Sequence, residues 1–225
     1  MPVKKENVYG GPNLGVYLAV NNRYFLHPPK IKSPLPDFAR QIFPDIVVIE
    51  TFIGGSSVLG ALVAMNSFGM IIPSTVGDDE LELLQTQMDK DFQITVIDAG
   101  GDNAFGNLIL CNDKGAIISP LLADAKDIIA KTLNVPVTIL GFAQSDLPGS
   151  CGLANNHGVV VHPMVTDQEA EIISDVLQVE IDVSTVNCGS PYLGGGAILN
   201  DVGAMFGRES TGPEIQRILE VLQID

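Results

Sequence analysis

Residues 106–120 read GNLILCNDKGAIISP, and the same frame recurs along the whole chain. Gly106, Asn112 and Gly115 have counterparts in Gly60, Asn66 and Gly69, in Gly149, Asn155 and Gly158, and in Gly194, Asn200 and Gly203. In the first copy, GVYLAVNNRYFLHP, Gly15 and Asn21 keep their places while Tyr24 stands where the second glycine belongs. The leading glycines lie 45, 46, 43 and 45 residues apart. A period of this length means one supersecondary unit used five times.

Each copy has a physical reading. LILC at 108–111 and AII at 116–118 predict two short strands. Asn-x-x-Gly between them reads as a turn that the asparagine opens and in which the glycine takes a left-handed conformation. Tyr24 is then expected in a different or strained turn. Pro28, Pro73, Pro120 and Pro163 follow the turns and end the ladders. A helix comes next. Thr166 with Glu169 and Thr211 with Glu214 form capping boxes, Gly77 with Glu80 a weaker version, and Ser33-Pro34 a cap followed by a first-turn proline. Ile215, Ile218, Leu219 and Leu222 share one face of the last helix, which should bury against a sheet. A third strand begins after each of the first four helices, in IVVIETF at 46, FQITVI at 92, VPVTIL at 135 and VEIDVSTV at 179.

No such strand is read after the fifth helix, but ENVYGGPNLG at 6–15 matches TFIGGSSVLG at 51–60. An N-terminal strand beside the last unit would close a ring and remove its exposed sheet edges. The expected architecture is α/β: five repeats of three short strands and one helix, at about 6–45, 46–91, 92–134, 135–178 and 179–225. Units of this size cannot bury a face alone, so 1–225 is read as a single domain.

Composition sets bounds on function. Apolar residues make up 46% of the 225 and charged ones 17%, which suits a large core and argues against disorder. No run reaches the roughly 18 apolar residues of a spanning helix, and MPVKKENVYGG is not a secretory leader. Cys111, Cys151 and Cys188 lie far apart with no C-x-x-C pair, as expected of reduced thiols in a cytoplasmic protein. The net charge of −15, with only twelve Lys and Arg in no long run, argues against a free-standing nucleic-acid binder and favours basic protein partners.

The stretches IGGSSVLGALVAMNSFGMIIP, GNLILCNDKGAIISP, STVNCGSPYLGGGAILN and STGPEIQRILEVL together resemble the archaeal-type translation initiation factor 6 family, over about residues 7–225. The resemblance implies the pentein fold, five units around a pseudo-fivefold axis. It also implies a monomeric, cofactor-free translation factor without catalytic activity. Such a factor binds the large (50S) ribosomal subunit, against ribosomal proteins near the sarcin-ricin loop and with rRNA itself as a further contact. By occupying that surface it keeps the small (30S) subunit from joining too early. Gly106-Asn107 matches the family's A-L-G-N segment, so Gly106, Asn107 and nearby Asn103 are the expected contacts, with Asn187 and Ser190 as further ones.

Two other readings are weighed beside it. Pentein rings also carry guanidino-modifying enzymes, deiminases and amidinotransferases, whose cysteine nucleophile follows a G-G-G-x-x-C pattern. Here Gly194-Gly195-Gly196 leads to Leu199, which cannot act as a nucleophile. A ring-shaped scaffold for another basic protein is the third reading. Cys111 reads as an inert strand thiol, Cys151 as another strand residue and Cys188 as an exposed loop residue. Cys151, His157 and His162 lack a fourth ligand and the spacing of a zinc site, and His27 repeats the place of His162. The glycine clusters GGSS at 54–57 and LGGGAI at 193–198 fit no phosphate-loop spacing and read as tight loops near the ring axis. GDDELE is ordinary first-turn helix chemistry.

Overall fold

The computed structural model describes residues 3–31 and 34–224, arranged as five three-stranded sheets. Ile109–Cys111 runs antiparallel to Ala116–Ile118, which pairs in parallel with Val137–Ile139. The other four sheets repeat the pattern. The parallel pair needs a crossover, and the helix between the two strands supplies it. Four of the sheets therefore take their third strand from beyond that helix, so repeat boundaries drawn in front of the third strands cut across them.

In the last sheet the third strand comes from the other end of the chain. Val3–Glu6 pairs in parallel with Ala204–Gly207, from Val3 opposite Ala204 to Glu6 opposite Gly207. Arg208 holds Glu6 in an ion pair of 3.1 Å across the seam. The closing strand begins ahead of the boundary expected at residue 6, and NVYGG forms the turn after it, bridged by Val8 and Gly11.

Of the five longer helices, Leu35–Ile42, Asp78–Gln87, Lys126–Leu133 and Asp167–Leu177 cross between paired strands, and Gly212–Val221 follows the last strand. Thr166 and Thr211 accept the backbone N–H of Glu169 and Glu214, and each glutamate reaches back to its cap N–H. Gly77 has only the returning half, from the Glu80 carboxylate. Leu35–Ile42 starts directly after Pro34, and Ser33 lies outside the described residues. In Gly212–Val221 the expected apolar face is buried at Ile218 and, just past its end, at Leu222; Ile215 and Leu219 are only partly covered. Cores are shared between neighbours. Ala64 and Ile71 from one sheet pack with Phe105, Ile118, Ile129 and Leu133 of the next.

Two features depart from the sequence expectation. A helical turn that the sequence reading did not include precedes the first strand of each pair. The leading glycines sit on these single turns, Leu59–Leu62, Phe105–Leu108, Pro148–Cys151 and Leu193–Gly196, with a 3-10 turn at Leu14–Val16. The strand in LILC thus starts at Ile109, and Cys151 ends a helical turn instead of lying in a strand. A Cβ on Gly106 would collide with the carbonyl of Gly60, and one on Gly149 with that of Gly106. The same contact runs through Gly194, Gly15 and back to Gly60, a closed girdle of five glycines at one end of the axis.

The turn glycines are not left-handed either. Gly69, Gly115, Gly158 and Gly203 all lack positive φ. What excludes a side chain at Gly115 is the carbonyl of Val176, at the end of the next unit's helix. Tyr24 is accordingly unstrained. Its ring is fully buried against Phe92, with centroids 4.8 Å apart, and its hydroxyl bonds both the carboxylate and the N–H of Asp89 at 2.9 Å. The phenol thus occupies the space at the end of the second helix that is elsewhere left for close backbone contact.

Candidate functional site

The strands around the axis run between two unlike ends. At one end the buried turn asparagines form a second girdle: Asn21 donates to the carbonyl of Asn66, Asn66 to Asn112, Asn112 to Asn155, Asn155 to Asn200 and Asn200 to Asn21. The residues after them close over a cavity of about 80 Å³. Asn156 Nδ2 donates to Asp113 Oδ2 at 2.7 Å and to Asp201 Oδ2 at 2.8 Å, Asn22 donates to Asp201 at 2.7 Å, and Ser67 Oγ to Asp113 at 2.7 Å. These asparagine, serine and aspartate side chains are spent on one another.

The glycine end carries five loops, each leading into a ring glycine. Four are pinned by an antiparallel bridge, between Val8 and Gly11, Ile53 and Ser56, Phe142 and Ser145, and Val186 and Ser190. Three are also tied to a helix by its glutamate. Glu80 accepts the N–H of Gly54 and Gly55, Glu169 that of Ala143, and Glu214 those of Cys188 and Gly189. GGSS at 54–57 therefore does cradle an anion, the chain's own Glu80. LGGGAI is not a loop but a helical turn running into a strand, placed in the glycine girdle by Gly194. Burial opposes ionisation of Glu214. The N–H and hydroxyl of Thr211, the Thr185 hydroxyl and the Gly189 N–H outweigh it and hold the carboxyl down at about 2.

The loop of the third unit differs. Among the described residues it has no such bridge and no helix glutamate; Asp102 N–H to the carbonyl of Ala99, at 3.2 Å, is its turn contact. It carries two of the expected contact residues. Asn107 sits half-buried on the helical turn Phe105–Leu108, and its side-chain amide bonds no described residue. Asn103 Oδ1 is the one buried side-chain oxygen or nitrogen without a partner among the described residues. An orphaned buried acceptor is costly unless something outside the chain meets it. Exposed Asp98 and half-buried Asp102 flank the loop, and neither joins an ion pair among the described residues.

The remaining expected contacts are placed otherwise. Gly106 belongs to the glycine girdle and is architectural. Asn187 lies at the same end but two units away, where its Nδ2 donates to the Pro12 carbonyl and to Asn13, and its Oδ1 accepts the Ser210 hydroxyl. That amide is spent on ring closure. Ser190 closes the bridge to Val186 and leaves its hydroxyl free of described partners. The structure brings Asn103, Gly106 and Asn107 together and leaves Asn187 and Ser190 apart from them.

Groups that could carry chemistry are dispersed. Burial pushes the Cys111 thiol up to about 12, with Asp113 adding to it, and raises Cys151. Cys188 is exposed with φ of 61°. Leu199 is buried in the strand Ala197–Leu199, on a cavity that it lines together with the five girdle glycines. His162 accepts the Met164 N–H at 3.0 Å, and His27 is buried with its Nδ1 3.0 Å from the Pro28 carbonyl. Among the described residues no group of three or more His, Cys, Asp and Glu is placed to hold a metal ion, and no helix is long and apolar enough to cross a membrane.

Comparison with known proteins gives a consistent result. Residues 3–221 match the model of the eIF-6 family. A translation initiation factor 6 of Staphylothermus marinus is 32% identical over 219 residues, 97% of this chain and 96% of that one. One of Saccharolobus islandicus is 34% identical over 224 residues, 99% of each. One of Methanocaldococcus jannaschii reaches 39% over 178 residues, 77% and 78% of the two chains. Among solved structures, a dimethylarginine dimethylaminohydrolase aligns with a TM-score of 0.49 at 10% identity, over 76% of this chain and 68% of that one.

Proposed function

The chain belongs to the eIF-6 family, and from that premise we propose that it acts in translation initiation by binding the large (50S) ribosomal subunit through the glycine end of its ring. Occlusion is the mechanism. A body seated on the subunit-joining surface excludes the small (30S) subunit, and no bond need be made or broken. The observation that carries the choice of face is the third-unit loop. Its amides at Asn103 and Asn107 are uncommitted, whereas at the other end the amides of Asn22 and Asn156 are spent on Asp113 and Asp201.

The charge supports the choice of partner. A net −15, with Asp98 and Asp102 beside the loop, favours basic ribosomal proteins and would steer their encounter. Direct contact with rRNA would fall at the rim of such an interface. Leu199, where the related guanidino chemistry would place its sulfur, speaks for a binding protein and against a deiminase or amidinotransferase. The reading is of a cytoplasmic monomer that needs no cofactor.

Co-sedimentation with purified large subunits at low salt, followed by a subunit-joining assay, tests it. The factor should pellet with large subunits and suppress joining in proportion to occupancy. Failure to pellet, or joining unaffected by excess factor, would overturn the proposal. Citrulline or ornithine produced from guanidino substrates would instead establish the enzymatic reading.

A further inference from the structure

At the rim of the third unit a groove of about 450 Å³ opens beside the same loop. Its walls come from the strand Gln93–Ile97, the 3-10 segment Pro120–Ala125 and the first turn of Lys126–Leu133. Three aliphatic side chains face solvent there: Val96, 39% exposed, Leu121, 52%, and Ile128, 43%. They stand over the buried Ile97 and Leu122. Asp98 and Asp124 stand at its edge, both exposed and neither in an ion pair among the described residues.

Clustered exposed aliphatics around a concavity mark a recognition surface more often than chance exposure does. Gln93–Ile97 is the outer strand of its sheet, so no further strand covers this side. Ala99, on the groove wall, opens the loop that carries Asn103 and Asn107. The groove therefore continues the face assigned above to the ribosome.

We propose that this groove takes an amphipathic, basic segment of a large-subunit ribosomal protein, with an apolar side chain seated among Val96, Leu121 and Ile128 and Lys or Arg paired to Asp98 and Asp124. The charge decides between the two classes of partner that a ribosome offers. Two unpaired carboxylates repel phosphates and attract ammonium or guanidinium groups, so protein is the occupant and RNA is not. An apolar centre with a charged rim is the anatomy of a specific protein contact. The proposal rests on the large-subunit reading and adds its second point of attachment.

Two measurements test it together on purified large subunits. A photo-crosslinking amino acid placed at Leu121 should join the factor to a basic ribosomal protein. Leu121→Asp with Ile128→Asp, both at exposed positions, should weaken co-sedimentation at least tenfold while leaving the circular dichroism spectrum and thermal midpoint near those of the parent. If the parent pellets with subunits and blocks joining, but the crosslink goes to RNA or does not form, or the double variant binds as the parent does, the groove proposal falls and the functional reading stands. If the parent itself does not pellet, both fall.

Discussion

Asn112 reaches across 65 residues to donate its Nδ2 hydrogen to the carbonyl of Leu177, 2.9 Å away, and gives the other to the carbonyl of Asn155 at 3.0 Å. One side chain thus joins a turn to the neighbouring turn and to the end of the neighbouring helix. Its Oδ1 meanwhile accepts the N–H groups of Lys114 and Gly115 within its own turn. Asn112→Ala orphans four buried or half-buried backbone groups. A loss of about 3 kcal/mol is expected from the usual cost of such groups, read as a lowered urea midpoint with unchanged slope.

Gly106→Ala should be more damaging still. Its methyl would meet the carbonyls of Gly60 and Val63, both backbone and unable to swing away. Overpacking against fixed atoms predicts a loss of about 3 kcal/mol or more. Thermal melting checks this, and any loss of ribosome binding in this variant should follow the loss of fold.

Asn107→Arg separates binding from stability. The side chain is half-buried at the proposed docking face and holds no described partner, so the fold should tolerate arginine. Large-subunit affinity should drop about tenfold or more, worth roughly 1.4 kcal/mol. An affinity equal to the parent's would move the docking face away from this loop.

Acid should loosen the fifth unit through Glu214. Its native carboxyl sits at about 2, below the ordinary 4.5. The stabilisation is therefore fully present above about pH 4.5 and disappears as the pH falls toward 2. Because the group is only half-buried, solvent screening leaves a contribution on the order of 1 kcal/mol. Glu214→Gln should be less stable than the parent at pH 7, with the gap narrowing at pH 3, by urea titration at both values. Glu169, also lowered, adds in the same direction.

Thiol labelling should distinguish the cysteines. Cys188 is exposed, Cys151 is buried, and burial holds the Cys111 thiol at about 12. Brief iodoacetamide treatment at pH 8 should give one adduct, at Cys188, with the other two reacting only in denaturant. Mass spectrometry of the intact and digested protein reads the outcome.

The fivefold repeat, the strand-turn-strand-helix content of each unit and closure by the N-terminal strand were all legible along the chain. Those follow from periodicity and from local chemistry: an asparagine turn, a threonine cap and an apolar face each announce themselves within a few residues. Why the repeated residues recur emerges from contacts between units. Gly115 excludes a side chain because of Val176, 61 positions away, and Tyr24 fits because Asp89 receives it, which no local rule about left-handed turns could anticipate. The same holds at the candidate site. Asn107 and Asn187 look alike in sequence, yet one amide is free and the other is spent on Pro12 and Ser210, because ring closure brings distant backbone against it. The aliphatic groove was likewise hidden, since Val96, Leu121 and Ile128 meet only when the outer strand of one sheet lies against the next unit's helix.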